Sequence, residues 1–255
     1  MPSLADHEKS RFVKLLFVGN SGAGKTGALA SLVEAGYDLR IADFDSGLDA
    51  LIFHLKEKKL DLSKVNFMSF RDKVKMGPTG TKLDGPPRAY PGVLAALDEW
   101  EDGSAPADWG EDTVFVLDSL TNVGRAAFWW AKHTNPTTRE PRQWYSTGQD
   151  LLMDLLANLT SEDFKAHVIV ISHLVMAQDT SGMMKQFASS LGKAKGPLIP
   201  AFFNTMLLSE VTKGQRTIHT VPTKMLDLKN PAPSIVSASY PMESGLAEIF
   251  KVLRG

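Results

Sequence analysis

Eight consecutive residues near the start of the chain follow the pattern G-x-x-x-x-G-K-[ST], which builds a phosphate-binding loop. This phosphate loop consists of Gly19, Asn20, Ser21, Gly22, Ala23, Gly24, Lys25 and Thr26. Its glycines permit backbone conformations closed to other residues, so successive N–H groups can turn toward one anion. Lys25 would add a charge for the β- and γ-phosphates of a bound nucleotide, and the Thr26 hydroxyl would ligate Mg²⁺. The alternative is an ordinary glycine-rich turn, but the apolar run before it and the helical pattern after it favour nucleotide binding.

A second chemical signal is Asp118, which ends the apolar run of residues 113–117. Such a continuous run is typical of a strand buried on both faces of a parallel sheet. Together with a phosphate loop, a carboxylate at the end of this strand predicts a residue that orders Mg²⁺, directly or through water. Alternatively, Asp118 or the following Ser119 caps the next helix.

Hydrolysis also needs a group that orients or deprotonates the attacking water. The candidate is Asp45, just beyond the second strand, with Asp43 as the alternative. Both could instead be turn residues beside Gly47. His173 ends a further apolar strand, and we predict that it contacts the γ-phosphate and reports its loss to the next loop. A purely structural role for His173 is the other interpretation.

Basic and aromatic residues are interleaved in two long polar segments, which we predict to be loops at 134–148 and 177–197. Phosphate charge and base stacking would let such segments bind a single strand of DNA. The alternative is a pair of solvated loops without a ligand. The DNA-binding candidates are Arg139, Arg142, Lys185, Lys193 and Lys195.

Strands that alternate with helices must position these residues. The predicted strands cover 13–18, 39–42, 65–70, 113–117, 167–171, 202–211 and 216–221. The predicted helices cover 25–35, 49–59, 92–101, 120–133, 149–159 and 243–253. Further exposed loops are predicted at 71–90 and 101–112. This order predicts an α/β fold with a mostly parallel central sheet, helices on both faces and an antiparallel hairpin near the C-terminus. We expect one domain over residues 1–255, with its core at about 12–230.

Composition narrows the classes of protein that remain. The chain has 255 residues, 43% of them hydrophobic and 22% charged, which is an ordinary globular profile. It has no cysteine, which excludes disulfides, zinc–thiolate sites and thiol nucleophiles. The net charge of −1 gives no global basic field, so nucleic-acid binding would need a local patch or many subunits. No apolar stretch approaches a membrane span and the N-terminal segment has no signal-like core, so a cytoplasmic location is expected.

Four segments of the chain resemble RecA-family recombinases. IADFDSGLDAL (41–51) resembles the segment with the catalytic carboxylate, and VFVLDSLTNV (114–123) resembles the strand that ends in Asp-Ser. VIVISHL (168–174) is similar to the strand that ends in a polar sensor, and GPLIPAFFNTMLLSEV (196–211) to the end of the second DNA-binding loop and the next strand. The resemblance covers about residues 12–230 and implies a RecA-like P-loop NTPase fold. Asp45 stands where the family has Glu, and His173 where it usually has Gln.

The resemblance also implies a function. Without the family's N-terminal oligomerisation domain and C-terminal DNA-gathering domain, the chain is similar to small phage-encoded ATPases of single-strand annealing or recombination. This resemblance implies a DNA-stimulated, Mg²⁺-dependent ATPase in the host cytoplasm that forms a ring or filament on single-stranded DNA. ATP would lie between subunits, Lys224 would reach the neighbour's γ-phosphate, and a single-strand-binding protein would be a further partner. The alternatives are a KaiC-like regulatory or assembly ATPase without DNA binding and a helicase-type motor core.

Overall fold

A computed structural model describes residues 12–78, 80–137, 140–179 and 181–254. The strands are β1 (Lys14–Gly19), β2 (Asp38–Asp43), β3 (Val65–Ser69), β4 (Val74–Gly77), β5 (Gly80–Leu83), β6 (Thr113–Asp118), β7 (His167–Ser172), β8 (Leu174–Gln178), β9 (Met184–Ala188), β10 (Thr205–Thr212), β11 (Gln215–His219) and β12 (Ser239–Pro241). The helices are α1 (Lys25–Ala28), α2 (Ala30–Glu34), α3 (Asp49–Glu57), α4 (Ala89–Asp98), α5 (Pro106–Trp109), α6 (Leu120–Thr134), α7 (Pro141–Thr160) and α8 (Gly245–Arg254). Two 3₁₀ helices cover Leu62–Lys64 and Gly196–Phe202. No helix among these residues is long and apolar enough to cross a membrane.

Eight strands form one sheet in the order β12-β11-β10-β1-β7-β6-β2-β3. The strands from β10 to β3 in this order pair in parallel, and β11 and β12 join antiparallel at one edge. The predicted α/β class, the mostly parallel sheet and the antiparallel C-terminal extension are confirmed. Because β7 lies between β1 and β6, the carboxyl ends of β1, β7, β6 and β2 form one contiguous edge, where ligands bind in such sheets.

The two faces of the sheet are covered by separate apolar cores. In β1, Leu15 and Phe17 pack with α1, α2, α3 and α8, whereas Leu16 and Val18 pack with α4, α6 and α7. Every residue of β1, β6 and β7 is buried, as expected for strands covered on both faces. The strand ends that carry the predicted chemistry are therefore held by a densely packed core.

Four predicted loops contain regular structure, so these predictions were wrong in part. Residues 71–90 contain the β4–β5 hairpin, residues 177–197 contain the end of β8 and all of β9, and residues 101–112 contain α5. The β4–β5 and β8–β9 hairpins both lie outside the main sheet. Most residues of β4 and β5 are exposed, so those strands show no apolar alternation that could predict them.

Two helical regions of the structure also differ from the prediction. The predicted loop 134–148 is helical from Pro141 onward, because α7 starts there with proline in its first turn. The first two turns of α7 are polar, but the Tyr145 ring packs on Phe128 of α6 at 4.6 Å between ring centroids. The predicted helix 25–35 is divided at Leu29 into α1 and α2.

Candidate nucleotide-binding site

The phosphate loop connects β1 to α1 at the carboxyl edge of the sheet, and two of its glycines are required by its shape. Gly24 has a φ of +94°, which L-residues rarely adopt, and a Cβ there would lie 2.9 Å from the Arg216 Cδ. A Cβ on Gly19 would lie 2.4 Å from the main-chain oxygen of Ser209. The loop therefore curls tightly against β10 and β11, as a phosphate cradle requires.

Lys25 lies at the centre of this loop. Its Nζ donates hydrogen bonds to the carbonyl oxygens of Gly19 at 2.8 Å and Asn20 at 2.9 Å. Burial lowers the pKa of Lys25, and the charges of Asp118 and Asp45 act in the opposite direction. The ammonium group is thus positioned among the loop's main-chain groups, where the phosphates of a nucleotide would bind.

Asp118 at the end of β6 contacts the other end of the phosphate loop. The Thr26 hydroxyl donates to the Asp118 Oδ2 at 2.7 Å, and Asp118 is only 3% exposed. Burial raises the pKa of Asp118 to about 6, although the hydrogen bond from Thr26 acts against this shift. A hydroxyl beside a carboxylate fits Mg²⁺, which usually keeps several waters and binds through one or two carboxylates plus substrate phosphates. The described residues contain no cluster of three or more acidic, His or Cys side chains that could cage a metal.

Asp45 accepts hydrogen bonds from two side chains at the start of α6 and lies beside His173. The Ser119 Oγ lies 2.9 Å from both carboxylate oxygens, and the Asn122 Nδ2 donates to Oδ1 at 2.7 Å. The His173 Nε2 lies 3.6 Å from Oδ2. Burial alone would raise the pKa of Asp45, but the interactions with His173, Asn122 and Ser119 outweigh it and lower the pKa. The structure brings Asp45, Asp118 and His173 together on one cavity.

Asp43, the alternative to Asp45, has a different position. It is 3% exposed, and its Oδ1 accepts the main-chain N–H groups of Asp45 at 3.0 Å and Ser46 at 2.8 Å. These bonds hold the turn after β2, and Asp43 does not line the cavity that Asp45 lines. Of the two carboxylates, Asp45 is therefore the one presented to a ligand.

The cavity has a volume of about 680 Å³, within the range of small-molecule sites. It extends from the phosphate loop to Phe53 and His54 of α3 and to Arg216 and Met242. Phe53 is 61% exposed, so its ring is available to a planar group bound there. The lining thus combines a phosphate cradle, the carboxylates of Asp45, Asp118 and Glu243, and an aromatic surface.

Comparison with known families shows the family to which the chain belongs. A family model described as an AAA domain matches residues 11–232. The chain belongs to this AAA domain family. It is therefore an AAA-type domain with a P-loop ATPase core. No curated protein sequence matches the chain.

One solved structure similar to this AAA domain is a prototypical ATPase from the type III secretion system of pathogenic bacteria. The two chains are 15% identical, and the alignment has a TM-score of 0.43. It covers 79% of this AAA domain and 52% of the other chain, so the domain spans about half the length of that ATPase.

His173 connects the nucleotide site of the AAA domain to the β8–β9 hairpin. The Ser189 N–H donates to the His173 carbonyl at 2.7 Å, and the Ser172 Oγ donates to the Ser189 carbonyl at 2.9 Å. Thr121 of α6 donates its hydroxyl to the same Ser189 carbonyl at 3.3 Å. These hydrogen bonds join the end of β7 and the start of α6 to the residue that directly follows β9.

The structure does not place all the predicted DNA-binding residues in free loops. Lys185 lies on β9 and pairs with Asp227 at 3.0 Å, and Lys195 pairs with Asp150 of α7 at 3.5 Å. Lys193 is exposed between β9 and the 3₁₀ helix Gly196–Phe202. Arg142 is exposed in the first turn of α7. Arg139 lies outside the described residues.

Lys224 lies in the segment between β11 and β12, where it is exposed and does not line the nucleotide cavity. Its predicted contact with a neighbouring subunit stays a prediction. Arg216 of β11, in contrast, lines the cavity and was not among the predicted site residues. Its strand, QRTIH, has no motif that distinguishes it from an ordinary polar hairpin.

Ser119 and Asn122 are two further residues of this cavity's edge that no sequence motif indicates. Their only sequence signal is their position directly after Asp118, at the start of α6. This position puts both side chains at the carboxyl edge of the sheet, where they reach Asp45 across the end of β2.

Proposed function

We propose that this domain hydrolyses ATP to ADP and phosphate with Mg²⁺, and that Asp45 orients the attacking water. The observation that carries the proposal is the convergence of Asp45, Asp118 and His173 on the cavity that the phosphate loop forms. Thr26 and Asp118 would hold the cation, which would neutralise charge that develops on the phosphates. Lys25 and His173 would contact the γ-phosphate.

The chemistry follows from the contacts of Asp45. Its lowered pKa keeps the carboxylate ionised near neutral pH, so it can accept a hydrogen bond from water. The water oxygen attacks the γ-phosphorus, and the bond to the β–γ bridging oxygen breaks with its electron pair on ADP. The water proton passes to Asp45 and then to the released phosphate. Ser119 and Asn122 fix the carboxylate for this step.

We also propose that the domain assembles on single-stranded DNA as a ring or filament and acts in annealing or recombination. The support is the packing of residues 189–195 against α6 and α7. A Cβ on Gly148 of α7 would lie 2.7 Å from the Leu191 Cδ2, and the Gln149 Nε2 donates to the Leu191 carbonyl at 2.9 Å.

This packing brings basic residues from both predicted regions to one helix. Lys195 pairs with Asp150 of α7. Asp150 lies eight residues after Arg142 in the same helix, which is about 12 Å along the helix axis. Lys193 lies two residues from Lys195 and is exposed. A single strand that runs along α7 would contact these charges through its phosphates, with Tyr145 available for stacking. The hydrogen bonds between His173 and Ser189 would couple loss of the γ-phosphate to this surface.

The test measures ATP turnover with and without a poly-dT oligonucleotide and the mass of the assembly in each state. We expect Mg²⁺-dependent turnover that rises with the oligonucleotide, together with an increase in mass. Turnover without either DNA effect would contradict DNA binding and favour the KaiC-like regulatory function. ATP-driven unwinding of a tailed duplex would instead favour the helicase-type motor.

The basic residues are tested by Lys185→Ala, Lys193→Ala and Lys195→Ala combined in one variant. We expect weaker oligonucleotide binding with unchanged ATP affinity, because the lysines lie outside the nucleotide cavity. If each contacts one phosphate, the slope of log affinity against log salt falls by about 2, as counterion release from a single strand requires. Fluorescence anisotropy with a labelled oligonucleotide measures both quantities.

A matched control replaces three other exposed lysines by alanine, with the same change in net charge: Lys56, Lys75 and Lys251. This control should keep the affinity and salt slope of the unmodified protein. Equal losses in both triple variants would show that binding depends on net charge alone and would contradict the assignment to this surface.

A further inference from the structure

A second cavity, of about 360 Å³, lies beside the carboxyl ends of β2 and β3 and the first turns of α6. It is separate from the phosphate loop, because none of the loop residues lines it. Its lining includes two arginines, three aromatic residues and one amide: Arg71, Arg125, Phe44, Phe70, Trp129 and Asn122.

The charges in this cavity favour an anion. Arg71 donates from Nη1 to the Ser46 hydroxyl at 3.0 Å. Neither Arg71 nor Arg125 forms an ion pair with any described residue. Asp72 is the one acidic residue among the described residues that line this cavity, and its Oδ1 accepts the two N–H groups at the start of α4. Two guanidinium groups therefore face a space with one carboxylate, and guanidinium groups bind phosphates in bidentate geometry.

The same cavity contains an aromatic side chain at a suitable position. Trp129 follows Arg125 by one helical turn, so both lie on the same side of α6. Phe44 and Phe70 stack on each other with ring centroids 5.4 Å apart and form an apolar wall. Two cations and a partly exposed aromatic ring in one cavity are the elements that bind one nucleotide, through its phosphate and its base.

The cavity also shares a residue with the ATPase site. Asn122 lines the cavity, and its Nδ2 donates to the Asp45 Oδ1 at 2.7 Å. Arg71 contacts Ser46, the next residue after Asp45. The hydrogen bond from Asn122 lowers the pKa of Asp45, so a ligand that drew the Asn122 amide toward its phosphate would make this carboxylate a stronger base, while Ser119 would still hold it in place.

We propose that this cavity binds a nucleotide unit, with phosphate at Arg71 and Arg125 and the base on Trp129, and that its occupancy raises ATP turnover through Asn122. The unit is a free mononucleotide or one residue of a single strand. The proposed binding of a nucleotide unit is argued from the cavity alone. The proposed effect on turnover also rests on the proposed ATPase function.

Binding is tested by calorimetry with thymidine monophosphate and, separately, with a dT oligonucleotide, on protein whose phosphate loop is saturated with ADP. We expect Arg125→Ala to weaken binding about tenfold, the size of one charge-assisted hydrogen bond. Arg88→Ala is the matched control, because Arg88 is an exposed arginine nearby that does not line the cavity. Binding of the mononucleotide assigns the site to free nucleotides, and binding of the oligonucleotide alone assigns it to a strand. Absence of both, or binding that Arg125→Ala leaves unchanged, overturns the proposal.

The link to turnover is tested in the same variants. The ligand should raise kcat several-fold without a matching change in KM for ATP, because it acts on the water-orienting carboxylate. Arg125→Ala should keep its basal turnover but lose the increase, and Asn122→Ala should bind the ligand without responding to it. Ligand binding without any change in kcat would overturn the link and leave the binding site standing. An inactive protein that still binds the ligand would contradict the ATPase function and the link, but not the site.

Discussion

Replacement of Asp45 by asparagine is expected to leave ATP bound while hydrolysis slows about a thousandfold, within the usual range for loss of a general base. The change keeps the size of the side chain and its acceptor for the Ser119 hydroxyl. It removes the negative charge that would attract the proton of the attacking water. Single-turnover hydrolysis of labelled ATP, with affinity measured separately by calorimetry, distinguishes loss of chemistry from loss of binding.

The matched control for this change is Asp49→Asn. Asp49 is an exposed aspartate in the first turn of α3, four residues further along the chain, and it does not line the cavity. The control should hydrolyse ATP at the rate of the unmodified protein. Full activity of Asp45→Asn would mean that Asp43 or another residue orients the water.

Replacement of Lys25 by alanine is expected to weaken ATP binding about a hundredfold, because one or two charge-assisted bonds to phosphate are lost. The loop also loses the two hydrogen bonds from Nζ to the carbonyls of Gly19 and Asn20. Hydrolysis should fall further, since the same ammonium would stabilise charge on the γ-phosphate. Calorimetry with ATP and with ADP measures the loss of affinity.

Lys56→Ala removes the same charge from an exposed position on α3 and should bind ATP normally. Thermal unfolding verifies that Lys25→Ala remains folded, which we expect because burial already disfavours its charged form. Loss of the charge-assisted bonds from Lys25 to phosphate should lower the affinity far more than about twofold. If Lys25→Ala binds ATP within about twofold of the unmodified protein, the phosphates do not lie on this loop.

The fold class could be predicted from the sequence because its signals are local. Continuous apolar runs predicted β1, β6 and β7, which are buried along their whole length. The hairpins β4–β5 and β8–β9 were missed because each forms a separate two-stranded sheet outside the main one. The strands β4 and β5 are also mostly exposed, so they lack the apolar runs of the buried strands. The start of α7 was missed because its first turns are polar and pack on α6 through Tyr145 and Gly148.

The sequence by itself determined the phosphate loop, the aspartate that ends β6 and the kind of sheet that joins them. These features depend on backbone freedom at glycines and on burial of neighbouring residues along one strand. Only the tertiary structure decided that Asp45 rather than Asp43 faces the cavity, that Ser119 and Asn122 hold it, and that Arg216 approaches the loop. Such contacts join residues far apart in the chain, and they depend on the order of strands in the sheet and on the directions of side chains at its edge.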